Sequence, residues 1–302
     1  MRGVFIDANK SLADIFERQN EAGDPPVKVN LNPDITADEV PIALGGAEII
    51  IVDHTPLPTD IARKCTGLKH VVFLGTGARS YMNPEQLAEL GIAVHLIKGY
   101  GDTAVAECAI ALMWAAARGV AAMDREMRAG NWLREDGMQL TGKTLGLIGF
   151  GGIAAEVARI ALGSGLRVIA WNRTPKRFAG VEFVSLEKLL ASSDVVSLHL
   201  LLNDETRGFI TGKHIAAMKP GAILINTARG AIVDETAMID ALKSGHIRHA
   251  GLDVFNIEPL PMDHPLTKLP NVTLSAHSAF RTPEASENLI HAAWEHCRRI
   301  VG

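Results

Sequence analysis

Continuous apolar runs of four to seven residues recur along the chain, separated by polar loops and amphipathic stretches. In the first hundred residues strands are predicted at 3–7, 27–31, 47–53, 70–74 and 93–97, of which Val27-Lys28-Val29-Asn30-Leu31 alternates apolar and polar residues. Strands of this length alternating with helices predict a parallel sheet with helices on both faces. Helices are predicted between them, from the amphipathic stretch after residue 7 through about Asn20, and at 59–65 and 84–90. Past residue 140 the rhythm returns, with strands predicted at 145–148, 166–171, 195–200, 222–227, 250–254 and 272–275. Two stretches differ. Residues 103–130 are rich in Ala, Leu and Met and end at Gly130, a suitable C-cap, so they predict one long helix passing between domains. Residues 283–301 predict a terminal helix that could return to the first domain. The pattern predicts an α/β chain of two doubly wound parallel-sheet domains, the second inserted in the first: residues 1–102 with 280–302, and residues 103–279.

The stretch 145–177 carries the first chemistry. A predicted strand leads into Gly149-Phe150-Gly151-Gly152-Ile153-Ala154, a small-residue helix, a stop at 163–165 and a second strand. A glycine pattern alone is a weak sign; between strand and helix of one βαβ unit it marks a dinucleotide site. Gly149 permits the tight turn, Gly151 leaves room for a pyrophosphate, and Ala154 lets helix and strand pack closely. Gly152 and Ile153 complete the cradle, where free N–H groups of the helix N-terminus face the phosphates. Residues 103–279 therefore read as a Rossmann dinucleotide domain inserted into a flavodoxin-like substrate domain. The second strand ends in Trp171-Asn172-Arg173-Thr174-Pro175-Lys176-Arg177, with no carboxylate where an NAD site holds the ribose 2′-OH. Arg173 can fork onto a 2′-phosphate, and Lys176 or Arg177 adds charge; the alternative is a solvated basic turn. NADP(H) is predicted over NAD(H), with NAD possible and Asn172, Arg173 and Thr174 as its contacts.

Bulk properties narrow the class. With 302 residues, 47% hydrophobic and 21% charged, the chain suits two globular domains with sizeable cores. A net charge of −4 gives no electrostatic reason to expect nucleic acid or an anionic membrane as partner. Cys65, Cys108 and Cys297 lie far apart, as in a reduced cytoplasmic protein, and no stretch at the N-terminus has the length of a signal peptide. No metal site is predicted: His246 and His249 sit beside Gly245 in an apparent turn, and His291 and His296 are five apart, off one helix face.

Three charged or titratable residues stand just past predicted strands of the dinucleotide domain: Arg229, Glu258 and His277. Ligands of open parallel sheets bind at the carboxyl ends of strands, so all three can converge on a nicotinamide. Singly each has a bland reading, as a surface cation, a turn residue and a satisfied interior histidine.

The motifs extend further. Ala104-Val105-Ala106-Glu107, the glycine turn, His199, Asn226-Thr227-Ala228-Arg229-Gly230 with Val233-Asp234, Asp253-Val254-Phe255, Glu258-Pro259-Leu260 and His277 together resemble the D-isomer-specific 2-hydroxyacid dehydrogenase family. The resemblance runs through nearly the whole chain. It implies an oxidoreductase that moves a hydride between NADP(H) and a small 2-keto or D-2-hydroxy acid, glyoxylate or hydroxypyruvate being the first guesses. Arg229 would bind the substrate carboxylate and carbonyl oxygen and stabilise the developing alkoxide. His277 would be the general acid in reduction and the base in oxidation, paired with Glu258, which orients the ring and stabilises imidazolium. Asp253 would lie near the nicotinamide carboxamide, with Leu200, Thr227 and Ala228 completing the cofactor set. Gly75-Thr76-Gly77 in the first domain would hold the substrate carboxylate through backbone N–H groups, completed by domain closure. A homodimer built on the long helix region is also implied.

Several positions depart from the family pattern. Ala154 replaces the third glycine, Asn172-Arg173 the acidic ribose ligand, and Ala276 the proline usual before the histidine. Lys98-Gly99-Tyr100-Gly101-Asp102-Thr103 replaces the usual Asn-x-Pro-Gly before the long helix, and Asp102 is an odd neighbour for an anionic substrate. Two rival readings remain: a cofactor-sensing binding protein like the family's corepressor branch, and an enzyme using formate or phosphite as donor. The chain shows neither a disordered charged tail nor the extensions expected of those rivals.

Overall fold

The computed structural model describes residues 1–174 and 176–302. The chain divides into two compact units, Met1–Gly101 with Thr282–Gly302, and Asp102–Arg281.

The first unit holds five parallel strands, β1 (Gly3–Phe5), β2 (Val27–Val29), β3 (Ile49–Val52), β4 (His70–Phe73) and β5 (Ala93–Leu96), in the order β2-β1-β3-β4-β5. This is the flavodoxin-like order. The strands stop one or two residues short of the apolar runs because the trailing residues turn out of the ladder. Asp7 shows why: its buried carboxylate accepts N–H groups from Asp53 (2.9 Å), His54 (2.9 Å) and Thr55 (2.8 Å). The helix Pro283–Val301, capped by Thr282, joins this unit. It sets Leu289, Ile290, Ala293, Trp294 and Cys297 against Phe5, Phe16, Ile49, Ile51 and Val72. Trp294 stacks on Phe16 at 4.2 Å, and its indole N–H donates to the Phe16 carbonyl (3.0 Å), so burial leaves no polar atom of the ring unsatisfied.

The second unit holds seven parallel strands: β6 (Thr144–Ile148), β7 (Arg167–Trp171), β8 (Val181–Phe183), β9 (Val195–Leu198), β10 (Ala222–Asn226), β11 (Ile247–Leu252) and β12 (Val272–Leu274). Their order is β12-β11-β10-β9-β6-β7-β8, a Rossmann sheet with one added strand. The winding reverses between β6 and β9, and the ligand crevice of such a sheet opens there. Three expectations need correction. Residues 103–130 form two helices, Asp102–Arg118 and Val120–Arg128, bent by 67°. Gly119 makes the break at φ 64, and the Glu135 side chain packs 3.1 Å from where a Cβ would stand. The first helix lies on its own sheet rather than passing between units: Ala106, Ala109, Leu112 and Ala116 share a core with Ile223 and Ile225 of β10. β8, a three-residue edge strand, was too short to show as an apolar run. His249 is no turn residue; it sits buried in β11 with its Nε2 2.9 Å from Thr273 Oγ1. No single helix among the described residues is long and apolar enough to cross a membrane.

Candidate active site

The ends of β10, β11 and β12 lie level, because Asn226 pairs with Leu252 and Leu252 with Leu274. The loops leaving those ends carry Arg229, the stretch 253–258, and His277. Asn226 shapes the first loop. Its side-chain carbonyl accepts the Ala228 N–H (3.0 Å), and its amide donates to the Arg229 carbonyl (2.9 Å). Arg229 is half-buried and spends one of its guanidinium N–H donors on the Ala228 carbonyl (2.6 Å). Gly230 packs so tightly on the second loop that a Cβ would lie 2.6 Å from the Asn256 nitrogen. Any larger residue there would push the two loops apart.

Glu258 and His277 form a pair. Glu258 Oε1 accepts the Phe255 N–H (2.8 Å), which fixes the carboxylate, and Oε2 stands 2.6 Å from His277 Nδ1. A carboxylate beside Nδ1 makes that nitrogen the donor and leaves Nε2 as the ring nitrogen not engaged by Glu258. His277 sits at φ 47, a left-handed conformation that costs a non-glycine residue roughly 1–2 kcal/mol. Asp253 holds it there. The Asp253 main-chain carbonyl accepts the His277 N–H (2.8 Å), and its buried carboxylate accepts N–H groups from Ser278 (3.0 Å) and Ala279 (3.0 Å). Asp253 is expected from the sequence as a cofactor contact; in the structure its carboxylate shapes the histidine loop.

The glycine turn fits a dinucleotide. Gly149 takes φ 88, and a Cβ there would stand 2.6 Å from the His199 carbonyl oxygen and 3.0 Å from Leu200 Cδ2. Nothing lies within 4 Å of a Cβ built on Gly151, so the backbone is open on the side a pyrophosphate approaches. The helix Gly152–Gly163 starts immediately after it, with Ala154 fully buried and Ile153 packed against the core. Thr227 Oγ1 supplies an independent sign: among the described residues it is a buried hydroxyl oxygen without a hydrogen-bond partner. Such an atom is costly unless a bound group completes it. His199, with Nε2 2.9 Å from Ser197 Oγ, is pushed down to about 4 by burial and adds no charge to this crevice at neutral pH.

At the end of β7, Asn172 does a structural job. Its carbonyl accepts the Phe150 N–H (3.0 Å) and its amide donates to the Thr174 carbonyl (2.7 Å), tying the strand end to the glycine turn. Arg173 reaches into solvent and pairs with the equally exposed Glu205. Lys176 donates to the Phe150 carbonyl (2.6 Å), and Pro175 lies outside the described residues.

In the first unit, Gly75, Thr76 and Gly77 follow β4 as a loop. The Gly75 carbonyl accepts the Ile97 N–H (3.1 Å), and Gly75 stands at φ 154 with the Phe73 ring 3.3 Å from its absent Cβ. Among the described residues no group of three or more His, Cys, Asp or Glu side chains could hold a metal ion. Sequence reading missed Asn226, Gly230 and the loop-shaping role of Asp253. Asn226 and Gly230 flank Arg229 inside one motif, and that proximity was the available signal.

Residues 110–279 match the family described as D-isomer specific 2-hydroxyacid dehydrogenase, NAD binding domain. The chain is 41% identical over 252 residues to a glyoxylate reductase of Aeropyrum pernix, covering 76% of this chain and 75% of that one. It is 38% identical over 259 residues to a hydroxypyruvate reductase of Thermotoga maritima, covering 83% and 84%. Among solved structures it resembles an acyclic imino acid reductase (Bsp5) in complex with NADPH and D-Arg, with TM-score 0.86 and 29% identity, over 100% of this chain and 97% of that one.

Proposed function

The chain belongs to the D-isomer specific 2-hydroxyacid dehydrogenase family, and on that premise we propose that it reduces a small 2-keto acid to the D-2-hydroxy acid with NADPH. Glyoxylate and hydroxypyruvate, named in its relatives, are the first substrates to test. The observation that carries the reading is the Glu258–His277 pair, standing one strand from the Arg229 loop at the carboxyl edge of a sheet with an open glycine turn. A bound nicotinamide supplies the hydride. Arg229 binds the substrate's carboxylate and carbonyl oxygen and balances charge as the oxygen becomes an alkoxide. His277 delivers its Nε2 proton to that oxygen, while Glu258 keeps the Nδ1 proton and offsets the imidazolium charge. The test is nicotinamide absorbance against a panel of 2-keto acids at neutral pH. Fast oxidation of NADPH with one or two small acids is expected; silence across the panel with tight NADPH binding would overturn the reductase reading.

The preference for NADPH rests on Arg173, which would exchange exposed Glu205 for the ribose 2′-phosphate. Exposed ion pairs are weak, about 0–1 kcal/mol, so the exchange is inexpensive. Arg173→Ala should lower kcat/KM for NADPH about 10–100-fold, the size of lost charge-assisted hydrogen bonds, and barely move that for NADH. Equal kcat/KM for the two cofactors in the unaltered enzyme would overturn the assignment.

We further propose a homodimer. Val120, Met127 and Trp132 expose apolar side chains around the second, bent helix, Trp132 being 74% exposed. Light scattering should give twice the chain mass; a monomer mass at micromolar protein would overturn it. Three free cysteines, two of them buried, support a cytoplasmic setting.

A further inference from the structure

Immediately beside the open face of Gly151, the glycine turn is closed by a carboxylate. A Cβ built on Gly152 would overlap the Asp102 carboxylate, with its Cγ only 2.7 Å away. Asp102 opens the helix Asp102–Arg118, and its side chain therefore rests on the first turn of the helix Gly152–Gly163. That first turn is where a dinucleotide places its doubly charged diphosphate. Among the described residues no hydrogen bond or ion pair compensates the Asp102 carboxylate. Glu156, one turn further along the same helix, is a second acidic neighbour, itself paired with Arg159 at 2.9 Å. Lys176, bound to the Phe150 carbonyl at 2.6 Å, is a cation at the same turn.

We propose that Asp102 sets the affinity for the dinucleotide by repulsion, its carboxylate competing with the diphosphate for the first turn of the helix Gly152–Gly163. The inference rests on the dinucleotide reading above and adds a specificity-determining residue to it. Burial, and then the charge of Glu156, push the Asp102 carboxyl above the ordinary carboxylate range. The ionised form is the repelling one. Dinucleotide affinity is thus highest below the Asp102 pKa and falls as pH rises through it, so binding takes up a proton. A neutral amide in the same place removes both the repulsion and its pH dependence.

Equilibrium fluorescence titration with NADH, from acid to mildly alkaline pH, tests this without turnover and without a titrating 2′-phosphate. Asp102→Asn should bind NADH about tenfold more tightly than the unaltered protein at alkaline pH, as expected for two like charges a few ångströms apart near a surface. The gap should close in acid, and added salt should narrow it. Glu156→Gln should move affinity the same way by a smaller factor. Equal or weaker NADH binding by Asp102→Asn at alkaline pH, with an unchanged melting temperature, would overturn the proposal and leave the enzyme reading standing. Failure of both proteins to bind NADH and NADPH at any pH would overturn the dinucleotide reading and this inference with it.

Discussion

His277→Ala is expected to cut turnover about 10²–10⁴-fold, the usual contribution of a positioned acid–base group, with NADPH affinity unchanged. The expectation follows from how completely the loop is committed to that one ring. The Asp253 carbonyl and carboxylate take three consecutive loop N–H groups, from His277, Ser278 and Ala279. They force a non-glycine residue to φ 47, and the ring that results meets Glu258 at 2.6 Å. Left-handed backbone at a histidine points to a function that repays its cost. Alanine tolerates that φ poorly, so His277→Asn is the companion variant, since asparagine enters the left-handed region readily. Both should lose turnover alike if the ring's proton matters. Stopped-flow absorbance and a fluorescence titration separate turnover from cofactor binding. Near-wild-type turnover in His277→Asn would sink the mechanism.

Much of this site could be read in advance because its demands are local. Gly149 and Gly151 need special backbone or open space within three residues of one another, and short spacing of that kind is visible in a sequence. The strand-end positions of Arg229 and His277 followed from strand length alone. What escaped reading depends on distant partners. Asp253 finds Ser278 and Ala279 25 and 26 residues away, and Arg173 finds Glu205 32 residues away. Gly119 lies in a run of helix formers, where a glycine costs about 1 kcal/mol and does not by itself end a helix. The side chain of Glu135, packed against it, favours the break, and no periodicity announces that contact. Asp102 was visible as a departure from the family pattern, but its resting place on Gly152 was not, because the two lie 50 residues apart in sequence.

Arg229→Ala should damage both binding and chemistry, lowering kcat/KM by about 10³–10⁵. Loss of charge-assisted bonds to a carboxylate costs about 1.5–3 kcal/mol. Loss of a donor aimed at a developing alkoxide costs about 2.7–4 kcal/mol. The first loss appears mainly in KM and the second in kcat, so both parameters should move. The loop itself should survive the change, because Asn226 holds it through the Ala228 N–H and the Arg229 carbonyl, neither of which is a side-chain group of Arg229. Arg229→Lys separates charge from geometry. Lysine keeps the positive charge but lacks the planar fork, so it should recover part of kcat while leaving KM high. NADPH affinity should change far less than substrate KM in both variants, since the glycine turn opens after β6, two strands away from β10, and Asn226 still holds the Ala228 N–H once the guanidinium's bond to the Ala228 carbonyl is lost. A loss confined to cofactor binding, with kcat and substrate KM intact, would move Arg229 out of the substrate site. Full recovery by lysine would show that charge alone suffices and that no forked contact with the carboxylate exists.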